Sequence, residues 1–242
     1  MPDPVTDPIH QRLPDGGPVY VETPANPANF DGVFAEPWNT ASAVLFVVIP
    51  VIWIWALGGR YRQHPFLTIC LPILAAGGIG GVLFHGLRRY QAFFLLDVVP
   101  IYLLGFTVSI WLWIRMGPKL HHLLGMIAFL VLLQLTAHFN LPIHWAINIS
   151  YASLALIVLI PLALTLVRTR FRHGGWIGTA LACFGIAWLC RIADTIRPPL
   201  LTTGTHWLWH TFGALTTAAL SIYIYRIEPI PLRTVEPTLK TE

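Results

Sequence analysis

Residues 91–115 read QAFFLLDVVPIYLLGFTVSIWLWIR. Between Gln91 and Arg115 the one charged side chain is Asp97. A helix needs about 20 mostly apolar residues to cross a hydrocarbon core, and this run is long enough. It is also too uniformly apolar for the alternating pattern of a membrane barrel strand. Working outward, six more runs have the same character, roughly residues 39–57, 66–85, 120–137, 147–167, 176–190 and 205–225. Short polar links such as Gly59–Gln63 and Arg168–Gly175 separate some of them. The pattern predicts an all-α fold, a seven-transmembrane-helix bundle over residues 36–226. It is flanked by a Pro-rich N-terminal segment, 1–35, and a polar C-terminal tail, 227–242.

Composition agrees. Of 242 residues 11% are charged and 55% hydrophobic, with a mean hydropathy of +0.65. A soluble domain usually carries about 25% charged residues, so an ordinary soluble fold and a disordered chain are both excluded. The net charge of +4 is small and its basic residues are spread along the chain, which excludes nucleic acid as a primary partner. Cys70, Cys183 and Cys190 have no metal-ligand spacing and read as small buried hydrophobes. The first 35 residues hold seven prolines and no apolar stretch of a secretory signal.

Loop charge sets the orientation of a membrane bundle. Arg12, Arg88, Arg89, Arg191 and Arg197 fall on the N-terminal side, and the remaining ten of the 15 Lys and Arg fall on the opposite side. The excess predicts the N-terminus outside and the C-terminus inside, although Arg88 and Arg89 sit against the rule.

Ionisable groups within apolar spans are costly and need a reason. His85 ends the second run, Asp97 lies about two turns into the third, and His206 and His210 open the seventh. Because chain direction alternates, all four belong at one face, the face of the N-terminal segment. His206 and His210 are four apart, so a helix puts both rings on one side. With His85 they make a three-histidine set for Zn²⁺ with an open position for water, as a catalytic zinc requires. Asp97 beside it would move protons as a general acid/base; alternatively it pairs with Arg88, Arg89 or Arg191 and ties helices together. His138 and His144 flank a link on the same face and read as interfacial.

Five segments then match a known family in order: AEPWNTAS at Ala35–Ser42, GGVLFH at Gly80–His85, LLDVVPIY at Leu95–Tyr102, RIAD at Arg191–Asp194 and GTHWLWH at Gly204–His210. Over about residues 18–225 the chain resembles the alkaline ceramidase family, and its bacterial ceramidase-domain relatives more closely still. These belong to a superfamily of seven-helix membrane hydrolases that includes the adiponectin receptors. The resemblance implies a zinc-dependent amidase that cleaves the N-acyl bond of ceramide-like membrane lipids. Carried over by motif, His85, His206 and His210 are the zinc ligands and Asp97 the general acid/base.

Two departures from the family pattern stand out. The family has a serine, an oxyanion helper, four residues before the histidine of the second helix, and here that place is Gly81. Zinc can polarise a carbonyl without it, and restoring Gly81→Ser is expected to raise activity. Gly77–Gly81 also reads as a surface for close helix packing. The family binds Ca²⁺ near its N-terminus through an acidic run. Here Glu22 and Glu36 remain, with Asn26, Asn29 and Asp31 as further oxygens. The same two glutamates read equally as caps of the loop over the helix ends. Two other functions stay open: a seven-helix receptor or scaffold with a vestigial metal site, favoured by Gly81, and a haem-binding redox protein using facing histidines.

Overall fold

The computed structural model describes residues 13–26, 30–117 and 120–230. Among them are seven α-helices and no β-strand: α1 (Pro37–Leu57), α2 (Pro65–Leu87), α3 (Gln91–Met116), α4 (Leu120–Asn140), α5 (Ile143–Arg168), α6 (Gly174–Ala193) and α7 (His206–Ile227). A 3₁₀ turn, Arg60–Gln63, links α1 to α2. Residues 1–12 and 231–242, parts of the two expected tails, lie outside the described residues, as does Asn29.

Five helices, α1, α2, α3, α5 and α6, are long and apolar enough to cross a membrane. α4 contributes a shorter apolar stretch, Ile127–Asn140. α7 is of similar length but more polar. Its buried residues include His206, His210, Thr216 and Ser221, and it packs between α1 and α6. Protein surrounds that polar face, so the helix need not be apolar throughout. Large apolar side chains such as Ile52, Trp55, Leu132 and Leu189 point outward and are exposed, as a lipid-facing surface requires.

Helix neighbours form an arc in the order α4, α5, α3, α2, α1, α7, α6. Glycines make the α1–α2–α3 part tight. A Cβ at Gly80 would land on the backbone of Leu96 and Asp97, and one at Gly78 would come within 2.8 Å of the backbone at Phe46 and Val47. The glycine run therefore brings α3 and α1 against opposite sides of α2 and sets the position of Asp97. Away from the site the bundle is closed by apolar clusters. One joins Leu57, Phe66, Leu67 and Ile224; another joins Leu112, Leu162, Ile177, Tyr223 and Ile227.

The segment before α1 folds over the end of the bundle formed by the close of α2 and the starts of α3 and α7. Glu22 caps α1 from outside: its carboxylate accepts the Trp38 N–H at 2.6 Å and the Asn39 N–H at 2.9 Å. Asp194, at the end of α6, does the same for α7. Its Oδ1 accepts the N–H of Thr205 at 2.7 Å and of His206 at 3.2 Å, and its Oδ2 accepts the Val21 N–H at 3.2 Å. One carboxylate thus holds the start of α7 and the N-terminal loop together.

Candidate metal centre

His85, His206 and His210 converge as the sequence predicts. Each is buried, and one ligand-capable nitrogen from each lies within 4.8 Å of the other two. Two of the rings, those of His85 and His210, are held by hydrogen bonds at Nδ1. His85 Nδ1 is 2.5 Å from Glu36 Oε2, and a carboxylate can only accept, so Nδ1 carries a proton and, in the neutral ring a metal requires, Nε2 keeps its lone pair. That Nε2 is buried with no hydrogen-bond partner. His210 Nδ1 faces the Asn39 carbonyl at 3.1 Å and the Ser42 hydroxyl at 3.0 Å. The carbonyl again requires a proton on Nδ1, which leaves Nε2 basic. His206 stacks on Tyr20, ring centres 3.8 Å apart, and its Nδ1 is buried without a partner.

Orphaned buried nitrogens are rare because each lost hydrogen bond is costly. Two of them occur among three imidazoles whose ligand-capable nitrogens lie within 4.8 Å of one another, a grouping that fits a cation. The ligand type suits zinc, which takes neutral imidazole and works with three histidines plus an open position. The carboxylate–histidine pairing at Glu36 is the arrangement that usually orients a metal-binding imidazole.

Glu36 is the centre of the supporting network. It is fully buried and contacts His85, Arg88 at 2.8 Å, Thr23 at 2.5 Å and Asn39 at 3.0 Å. Burial pushes its carboxyl up, but Arg88 and His85 outweigh that and hold it down, at about 2. Arg88 also pairs with Asp15 at 2.8 Å and donates to the Pro18 carbonyl. It ends α2 in the left-handed region, φ 48°, a conformation that costs a non-glycine residue of order 1–3 kcal/mol; the two ion pairs offset it.

This network bears on calcium. Every oxygen of Glu22 and Glu36 already accepts from an N–H or O–H donor, one of them the Arg88 guanidinium. Asn26 and Asp31 are exposed. The two glutamates thus serve as cap and cross-link, and Asn29, a further oxygen of the expected Ca²⁺ set, lies outside the described residues.

Asp97 lines the cavity beside the histidines and forms no ion pair among the described residues with Arg88, Arg89 or Arg191. Its carboxylate sits against Gly81: a Cβ there would be 2.9 Å from Asp97 Oδ1 and 3.3 Å from Ala43 Cβ. A serine there would meet the end of the Asp97 side chain, which would have to shift to admit it.

Below the histidines lies a cavity of about 500 Å³, within the usual range of small-molecule sites. At its polar end are Asp97, Arg191, His206 and His210; farther down it is walled by Leu104, Val158, Leu162 and Ile224. His138 lines it as well, whereas His144 is buried outside the histidine cluster.

Residue-type patterns missed Tyr20, Asn39 and Ser42. Glu36, Asn39 and Ser42 are spaced by three at the start of an apolar helix, hence on one face. That spacing was the available signal. Tyr20 has none, because it reaches His206 from a loop. Burial pushes its hydroxyl up, so it stays protonated. Set against known proteins, the chain matches no family model and no curated protein sequence.

Proposed function

We propose that the chain is a seven-helix membrane hydrolase, N-terminus outside, that uses zinc to cleave the N-acyl amide of ceramide-like lipids. The observation that carries this reading is the convergence of three buried histidines, His85, His206 and His210, the last two lining the polar end of a largely apolar cavity. The cavity suits acyl chains, and the polar end suits the amide.

His85, His206 and His210 would hold the ion, which when bound would polarise the carbonyl and acidify a water. Glu36, Asn39 and Ser42 fix the His85 and His210 rings and their tautomers. Asp97 takes the proton from the attacking water and returns it to the nitrogen that leaves. The glycine at 81 gives its carboxylate the room to stand there. Tyr20 and the loop around it cover the histidines and limit water at the reacting end.

Protein purified in detergent should release fatty acid from an N-acyl sphingoid lipid and stop when chelator strips the metal. Asp97→Asn should keep the metal and lose turnover; loss of metal or of folding in that variant would make Asp97 structural. The rival reading, a receptor or scaffold with a vestigial site, rests on Gly81 and requires metal without turnover on any lipid amide.

A further inference from the structure

Arg191 is the charged group at the polar end of the cavity that hydrolysis itself does not use. It lies in the last turn of α6, is 6% exposed and lines the cavity together with Asp97, His206 and His210. Among the described residues no carboxylate lies within ion-pair distance of it. Its Nε–H donates to Asn148 Oδ1 at 3.3 Å. Its guanidinium carbon stands 5.1 Å from the centre of the Tyr151 ring and 5.5 Å from that of Trp209. Trp209 adjoins His210 in sequence, so the cation is held close to the histidine cluster.

A guanidinium offers five N–H donors in a planar fork. Here one bond, to a neutral amide, and two aromatic faces are the partners provided. Cation–π contacts and one neutral acceptor compensate only part of the cost of burying a charge. What the arrangement lacks is an anion. A fork packed beside two neighbouring aromatic rings can grip a planar carboxylate or a phosphate with two bonds. The apolar walls strengthen that attraction by excluding water.

We infer that Arg191 recognises an anionic group on the substrate: the acylated amine carries a carboxylate or a phosphate close to its amide nitrogen. This rests on the amidase reading of the same cavity and narrows its substrate class. An N-acyl amino acid has the required form. Its hydrolysis consumes one water, breaks the amide C–N bond and releases a fatty acid and an amino acid, with no other reactant.

The test compares N-oleoylglycine with N-oleoylethanolamine, which share chain and amide and differ in carboxylate against hydroxymethyl. Binding to the chelator-treated full chain, read by titration calorimetry in detergent, removes turnover from the comparison. The wild type should bind the carboxylate about 10–100-fold more tightly, the usual worth of a charge-assisted bond. Arg191→Gln should erase that preference and Arg191→Lys keep part of it. Equal affinity of the wild type for the two amides, and for ceramide 1-phosphate against ceramide, overturns the inference without needing any variant. Preference only within the ceramide pair assigns the anion as phosphate. Oleate binding as tightly as N-oleoylglycine, with the same dependence on Arg191, would mean that the residue holds the fatty-acid product, and the substrate assignment falls. Anion preference without hydrolysis of any amide, once zinc is restored, would leave Arg191 as inferred and remove the amidase reading. Hydrolysis of charged and neutral amides with equal affinity would do the reverse.

Discussion

Glu36 and Gly81 show how much of this site depends on single residues that are not ligands. Glu36 is fully buried between His85 and Arg88. Removing one partner of a buried ion pair costs about 3–5 kcal/mol, and losing a carboxylate behind a metal-binding imidazole lowers metal affinity about 10–100-fold. Glu36→Gln should therefore lower the melting temperature and weaken zinc retention together, measured by thermal melting and by competition with a chelator. A drop in stability with unchanged zinc affinity would show that His85 does not need this carboxylate. Gly81→Ser makes a different prediction. Its Cβ would press on Asp97 Oδ1, and overpacking of this kind costs about 1–3 kcal/mol. Turnover should fall with the metal retained. A rise in turnover would mean that the carboxylate yields and that the hydroxyl acts as an oxyanion donor.

At the scale of elements, the start of α7 is held by Asp194 rather than by its own N-cap, since Thr205 makes no side-chain capping bond. Asp194→Ala removes the acceptor for Thr205, His206 and Val21. A lost cap costs about 0.5–2 kcal/mol, and here a loop is released as well. Zinc affinity should fall through His206, and the N-terminal loop should become easier to cleave by limited proteolysis. Much of the element scale was legible in advance. Long apolar runs gave the helices, and alternating direction put His85, Asp97, His206 and His210 at one end. α5 begins at Ile143, about one turn before its apolar run, because Pro142 starts it at the link. α7 is the instructive case. Its histidines and hydroxyls lower its hydropathy, and its packing between α1 and α6 explains why it tolerates them. What the sequence could not reveal was contact at a distance. Tyr20 on His206, Asp15 on Arg88 and Asp194 on Val21 join residues that no periodicity relates.

For the whole molecule, the arc of helices lines a cavity with a polar end and apolar walls, and that shape implies measurable selectivity. Val158 lies seven residues, or about 10.5 Å of helix, beyond Tyr151, and both line the cavity. Val158→Trp should fill its middle, leave zinc binding unchanged and shift preference toward shorter acyl chains in a chain-length series. Equal loss for all lengths would place the chains elsewhere. All of this depends on the histidine cluster holding a metal. Elemental analysis of the purified chain is the direct measurement: it should find about one zinc per chain, lost in both His206→Ala and His210→Ala while the helix content of each is kept. Wild-type protein that cannot be loaded with zinc, or full zinc occupancy in both variants, would contradict it.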